Sequence, residues 1–339
     1  MGIEMKNTEY KLCLNCFCVV KGDYEVCPYC GYIDGDLPKA AFYLRQGSVL
    51  KDRYIIGTVL GYGGFGITYK AYDTVLSMVV AIKELYPFGL VNRAEDSSNV
   101  CVFSGCKTKE FMEIEKRFVE EAHSMALFSK EKDIVNVYAY FQENGTEYII
   151  MEYIDGILLK TYLRKKGRIP EEQACDYLCS LLNALTKIHE QGIVHKDVSA
   201  DNIFLVSSGQ VKLVDFGAAR LQDSDNKYTT IVKSGYAPPE QYRSKVVADH
   251  RTDIYAAGAV MYQMLTGECP TEALERIVED HLEGINQKGI KIRHDLDKVI
   301  MKALSLNPDE RYESAATFRE AVLQAEKKKS WKWWNERRE

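Results

Sequence analysis

No segment of this 339-residue chain approaches the roughly 18 successive apolar residues that a membrane-spanning helix needs. Residues 1–10 are polar and lack the apolar core of a secretion signal, and Lys6 stands where a myristoylation signal beginning at Gly2 requires Ser or Thr. A large excess of either charge sign is also absent. A formal net charge of −5 offers no general attraction for nucleic acid, so extended nucleic-acid binding is not expected. These absences predict a cytoplasmic protein. Hydrophobic content of 46% and charged content of 27% are ordinary for a globular chain, and the length allows one large domain with a small appendage.

Cysteine, by contrast, is crowded: of ten in the chain, half lie between positions 13 and 30. A disulfide framework fits poorly with a chain that shows no secretion signal, because the cytosol keeps thiols reduced. Cys13-Leu14-Asn15-Cys16 and Cys27-Pro28-Tyr29-Cys30 form two C-x₂-C bends, each able to present two thiolates to one tetrahedral ion. Four thiolates at this spacing suit structural Zn²⁺, which would hold together a segment too short to build a core. Residues 1–31 therefore resemble a zinc ribbon. A closed four-cysteine site has no open coordination position, so its expected role is structural. A redox pair or plain small hydrophobes are the alternatives, and Cys18 is a spare thiol. Residues 32–53 read as a linker, with 40–44 a candidate for a short packed element.

The remaining chemistry lies in ordered motifs. Gly61-Tyr62-Gly63-Gly64-Phe65-Gly66 follows an apolar run at 54–60, and Val79-Val80-Ala81-Ile82-Lys83 comes shortly after. His195-Lys196-Asp197-Val198-Ser199-Ala200-Asp201-Asn202 precedes Asp215-Phe216-Gly217; then come Pro238-Pro239-Glu240, Asp253-Ile254-Tyr255 with Gly258, and Arg311. A lone G-x-G-x-x-G would be weak, since dinucleotide-binding folds share it. In this order the motifs resemble those of protein kinases, in particular bacterial eukaryotic-like serine/threonine kinases with an N-terminal zinc ribbon. The resemblance implies an α+β, two-lobed kinase fold over residues 54–325, with 54–154 the smaller lobe and hinge, 155–325 the larger lobe, and 326–339 a tail. It also implies ATP, Mg²⁺ and a protein substrate.

Site roles follow from the same resemblance. Gly61, Gly63, Gly64 and Gly66, with Phe65 at the tip, would form a lid over the phosphates. Ala81 and Thr68 would pack on adenine, Met151 would be the gatekeeper, and the backbone of Glu152 to Ile154 would bond the base. Lys83 would reach the α- and β-phosphates while paired with Glu121, preferred to Glu120 because Met125 lies four residues beyond it. Asp197 would accept the hydroxyl proton, and Asn202 and Asp215 would hold Mg²⁺. Asp253 and the pair Glu240–Arg311 would be architectural.

Several features depart from the family pattern. Lys196 replaces an arginine, which puts control through phosphorylation of Ser224, Tyr228, Thr229 or Thr230 in doubt. Ser199 stands where a lysine normally neutralises the γ-phosphate, and Lys233 stands where a threonine normally contacts that lysine. The two residue types look exchanged, so Lys233 is expected to reach Asp197 and restore the charge from the other side. A pseudokinase scaffold is the alternative, with Ser199 its main support; a small-molecule kinase is opposed by the complete activation segment. The extra residues at 87–109, carrying Cys101 and Cys106, form an insert whose neutral and regulatory readings stay open. Four lysines and all three tryptophans in 327–334 suit either weak membrane contact or a solvated extension of the last helix.

Overall fold

A computed structural model describes residues 10–33, 35, 40–64, 66–94, 97–206, 209–216, 220–221, 232–242 and 249–335, with backbone alone at 106–107, 220–221 and 328–335. The chain forms two compact units: Met1–Leu127 with Asn136–Tyr153, and Phe128–Val135 with Ile154–Glu339.

The first unit starts with the small hairpin β1 (Tyr10–Leu12) and β2 (Val19–Lys21). A six-stranded antiparallel sheet follows, built from β3 (Val49–Leu50), β4 (Tyr54–Gly63), β5 (Gly66–Asp73) and β6 (Met78–Leu85). The hairpin β7 (Val91–Arg93) and β8 (Val100–Val102) lies within the insert and leads into α1 (Cys106–Ala126). Strands β9 (Val137–Glu143) and β10 (Thr146–Glu152) complete the sheet in the order β3-β4-β5-β6-β10-β9.

Alternation sets the faces of this sheet. In β5, Ile67, Tyr69, Ala71 and Asp73 are buried while their neighbours are half-buried. Helix α1 buries Phe111, Phe118, Ala122 and Met125, three- and four-residue steps that make one stripe. The sheet begins earlier than the motif run suggests, because Val49 and Leu50 pair with Ile55 and Tyr54. Leu44 and Leu50 belong to the core, so the second half of the linker is packed structure.

The second unit holds β11 (Gly156–Leu158), α2 (Leu159–Lys166), α3 (Glu171–Glu190), β12 (Ile193–Val194), β13 (Ile203–Val206), β14 (Val211–Leu213) and β15 (Arg220–Leu221). It continues through a 3₁₀ turn at Pro239–Tyr242 to α4 (Arg251–Thr266), α5 (Ala273–Val278), α6 (His294–Ala303) and α7 (Ala315–Asn335). Strands β11, β13 and β14 form one small sheet, and β12 pairs with β15. Helix α4 is buried on nearly every side, as expected of a central helix whose residues are almost all apolar or small. Residues 326–335 continue α7, so the tail extends the last helix over that span; its tryptophan side chains lie outside the described residues. Among the described residues, no helix is long and apolar enough to cross a membrane.

Candidate active site and cysteine centre

The four cysteines converge. Their Sγ atoms all lie within 4.8 Å of one another, with Cys13–Cys30 and Cys16–Cys27 each at 3.7 Å. Four sulfurs about 2.3 Å from a tetrahedral ion would be separated by about 3.8 Å, so the cluster has the dimensions of a thiolate metal site. Cys18 is exposed and outside the cluster.

This module is seated on the six-stranded sheet within the first unit. A Cβ on Gly57 of β4 would lie 2.4 Å from the Leu14 carbonyl oxygen and 2.6 Å from the Phe17 ring, so only glycine permits the approach. Phe17 stacks on Tyr72 at 5.5 Å. Asn15 donates to Cys30 Sγ at 3.6 Å and accepts from Thr58 Oγ1 at 3.3 Å, bridging a candidate metal ligand to β4. The sequence offered no sign of this docking, because Gly57 reads there as one more strand glycine.

In the glycine-rich hairpin, Gly61 pairs with Thr68, Tyr62 with Ile67 and Gly63 with Gly66. Gly66 is demanded by the sheet itself, since a Cβ there would meet Glu84 O at 2.4 Å. At Gly61, Gly63 and Gly64 a Cβ would meet no atom of the described residues within 4 Å, so their packing does not require glycine at those three positions. Phe65 lies outside the described residues. Register sets Thr68 opposite Lys83 and Ala81 opposite Met151. The amide of Glu152 donates to Asn136 O at 2.9 Å. Glu152 and Ile154 are both half-buried, and Ile154 opens the second unit.

Lys83 Nζ lies 2.6 Å from Glu121 Oε1, and Glu121 is buried. Glu120, one residue earlier, is exposed and meets Lys116 at 3.8 Å. The helix stripe thus turns Glu121 inward and Glu120 outward.

The next residue on β6 carries a network that sequence reasoning missed. Glu84 is fully buried, pairs with Arg93 from the insert, and accepts from Tyr148 and Tyr69 hydroxyls at 2.8 Å each. Burial pushes the Glu84 carboxyl up, while Arg93 opposes the push. Arg93 also donates to Phe42 O and Ser98 O at 2.5 and 3.1 Å. The signal available was a glutamate inside an apolar strand, which has to find a partner. The insert is therefore tied into the core of the first unit.

In the second unit, Asn202 Nδ2 donates to the Asp197 carboxylate at 2.8 Å and to its carbonyl at 2.9 Å. Lys233 Nζ stands 2.9 Å from Asp197 Oδ1 and donates to Ser199 Oγ at 2.9 Å. The exchange of lysine and serine expected from the sequence is thus a direct contact. Burial raises the Asp197 pKa, and the Lys233 cation is the main force against it. The His195 imidazole is held low, chiefly by burial; the carboxylates of Asp253, Asp197 and Asp215 pull it the other way.

The backbone at residues 195–196 is pinned by a buried carboxylate. Asp253 of α4 accepts from the amides of His195 and Lys196 and bonds His189 Nε2, all at 2.8 Å. Its carboxyl is held below the ordinary range because, against burial, these partners favour the charged form. Lys196 and Asp215 adopt φ of 64° and 67°, conformations that cost on the order of 1–3 kcal/mol and tend to occur where function requires them. Glu240 and Arg311 form a buried two-pronged pair at 2.6 and 3.1 Å. Gly217, Ser224, Tyr228, Thr229 and Thr230 lie outside the described residues.

With this geometry, the comparison with known proteins is direct. The protein kinase domain family matches residues 54–329, and the chain belongs to that family. Its relatives include bacterial serine/threonine-protein kinases. Serine/threonine-protein kinase PknB of Mycobacterium leprae is 34% identical over 289 residues, which is 81% of this chain and 43% of that protein. A probable serine/threonine-protein kinase of Clostridium acetobutylicum is 31% identical over 281 residues, 79% of this chain and 39% of that protein. The chain thus spans about two-fifths of the length of these curated relatives. The solved structure of PpkA-294 in its apo form matches with a TM-score of 0.75 at 30% identity, covering 83% of this chain and 99% of that one. Membership in the family implies ATP, Mg²⁺ and a protein substrate.

Proposed function

We propose that the chain is a serine/threonine protein kinase that moves the γ-phosphoryl group of Mg-ATP to a protein hydroxyl, and that Cys13, Cys16, Cys27 and Cys30 hold a structural zinc ion. The observation that carries the catalytic reading is Asp197 held between Asn202 and Lys233. Asp197 accepts the proton of the attacking hydroxyl. A bond forms from that oxygen to the γ-phosphorus as the bond to the bridging oxygen breaks, and ADP leaves with the electron pair. Charge that spreads over the transferring group is met by Lys233, the cation missing from position 199.

Lys83, aimed by Glu121, holds the α- and β-phosphates, and Gly61, Gly63 and Gly64 let the hairpin backbone close on them. Adenine lies against Ala81, Thr68 and Met151, with the backbone of Glu152 and Ile154 bonding its edge. Asn202 and Asp215 would hold Mg²⁺, which would supply positive charge to offset that of the phosphates. Intact-mass measurement after incubation with Mg-ATP tests the reading: the wild type should gain phosphoryl groups and the Asp197→Asn variant should not. An unmodified wild type, with ATP bound, would leave a nucleotide-binding scaffold in its place.

A further inference from the structure

The glycine-rich hairpin is held by more than its own strands. The ring of Tyr62, near the end of β4, lies with its centroid 6.3 Å from Phe42, 6.2 Å from Tyr43 and 6.0 Å from Phe88. Phe42 and Phe88 meet edge to face at 5.0 Å, and Tyr86 joins them at 5.9 and 5.2 Å. Three separate stretches of chain therefore supply one aromatic cluster: the linker before the sheet, the hairpin itself, and the segment that enters the insert. The spacings and tilts are those at which aromatic pairs attract beyond simple burial.

The parts of this cluster differ in how firmly they are held. Tyr86 is 2% exposed and Tyr62 67%. Beneath Phe42, Arg93 donates to its carbonyl, pairs with the buried Glu84 and lays its guanidinium 5.4 Å from the Tyr86 ring. Glu84 follows Lys83 directly on β6. The seat is thus fastened to the strand that carries Lys83, and the exposed ring of Tyr62 rests on it.

We infer that Phe42, Tyr43 and Phe88 form a seat for Tyr62 that positions the glycine-rich hairpin for nucleotide, making Tyr62 a positioning residue that acts through the backbone on either side of it. This rests on reading residues 61–66 as the nucleotide lid. With the ring seated, much of the entropy cost of ordering the hairpin is met before ATP arrives. Without it, nucleotide binding has to order the hairpin. Affinity for Mg-ATP then falls, while Asp197, Asn202 and Lys233 are untouched and turnover at saturating ATP is kept.

Full-length Tyr62→Ala, Tyr62→Phe and Phe88→Ala variants test this by calorimetry with Mg-ATP and by hydrogen exchange at residues 60–64. Losing the seated ring should weaken Mg-ATP binding about tenfold, raise KM for ATP with kcat retained, and speed exchange in the hairpin, while α1 stays protected. Tyr62→Phe should restore all of these, because the contact is made by the ring. Phe88→Ala should reproduce the Tyr62→Ala effect, and the double variant should be little worse than either. Wild-type affinity and exchange in Tyr62→Ala would overturn the seat, as would a Tyr62→Phe variant as weak as alanine. If the wild type binds no Mg-ATP, the lid reading fails separately, and exchange in the nucleotide-free hairpin still decides whether the ring is seated.

Discussion

Replacement of Lys233 by alanine removes one cation from a site where three oxygens lie near it: Asp201 Oδ2 at 3.9 Å, and Asp197 Oδ1 and Ser199 Oγ, both at 2.9 Å. At that separation a unit pair in a medium of effective dielectric about 20 attracts by about 6 kcal/mol before desolvation and side-chain ordering are subtracted. Lys233 and Asp197 side chains are 28% and 21% exposed, so part of that attraction is screened. What reaches catalysis is the portion directed at charge developing on the transferring group. Loss of one preorganised donor of this kind lowers kcat by about 100- to 1,000-fold.

The effect should fall on kcat, with KM for ATP little changed, because the charge matters most as the phosphoryl group moves. A second signature comes from pH. Asp197 must be ionised to accept the proton; burial already raises its pKa, and Lys233 resists that rise. Without Lys233 the pKa climbs further, so the acid limb of the rate profile should move to higher pH. Adding Ser199→Lys in the Lys233→Ala background should recover much of the rate. Steady-state kinetics across pH measures all three quantities. Unchanged turnover and an unmoved acid limb in Lys233→Ala would refute the exchange of roles.

Two further outcomes follow, one from a buried ion pair and one from the cysteine cluster. Replacing Arg311 or Glu240 alone strands the other charge in the core of the second unit, and chemical denaturation should show a loss of about 3–5 kcal/mol, whereas replacing both with apolar residues should cost less; equal losses would contradict the pairing argument. Purified protein should carry one zinc ion per chain by elemental analysis, and a strong chelator or Cys30→Ser should release it and expose Phe17 to proteolysis, since binding energies of about 10–16 kcal/mol hold such modules folded; full zinc content in Cys30→Ser would remove Cys30 from the ligand set.

The parts that could be read in the sequence were those written as fixed offsets or helical steps. The cysteine pairs, the choice of Glu121 over Glu120, the Glu240–Arg311 pair and the approach of Lys233 to Asp197 all depend on such spacing, and the structure brings each set together. Contacts between stretches with no periodicity gave no such sign. Arg93 sits in an insert where arginine ordinarily faces solvent, yet it is buried against Glu84. Phe42 and Phe88 flank the sheet in segments that read as connector and decoration, and only the fold shows that both face Tyr62. The packing of the cysteine module on Gly57 was hidden for the same reason: a missing Cβ gives no hint of what takes its place.

The claim that Asp197, assisted by Lys233, transfers phosphoryl groups to protein is tested most directly with ATP labelled in its γ-phosphoryl oxygens and an acceptor protein, followed by mass spectrometry. Labelled phosphoryl groups should appear on serine or threonine of the acceptor with the wild type and vanish with Asp197→Asn, although that variant still binds Mg-ATP. Label transfer that persists in Asp197→Asn, or a wild type that binds Mg-ATP and transfers nothing, would contradict it.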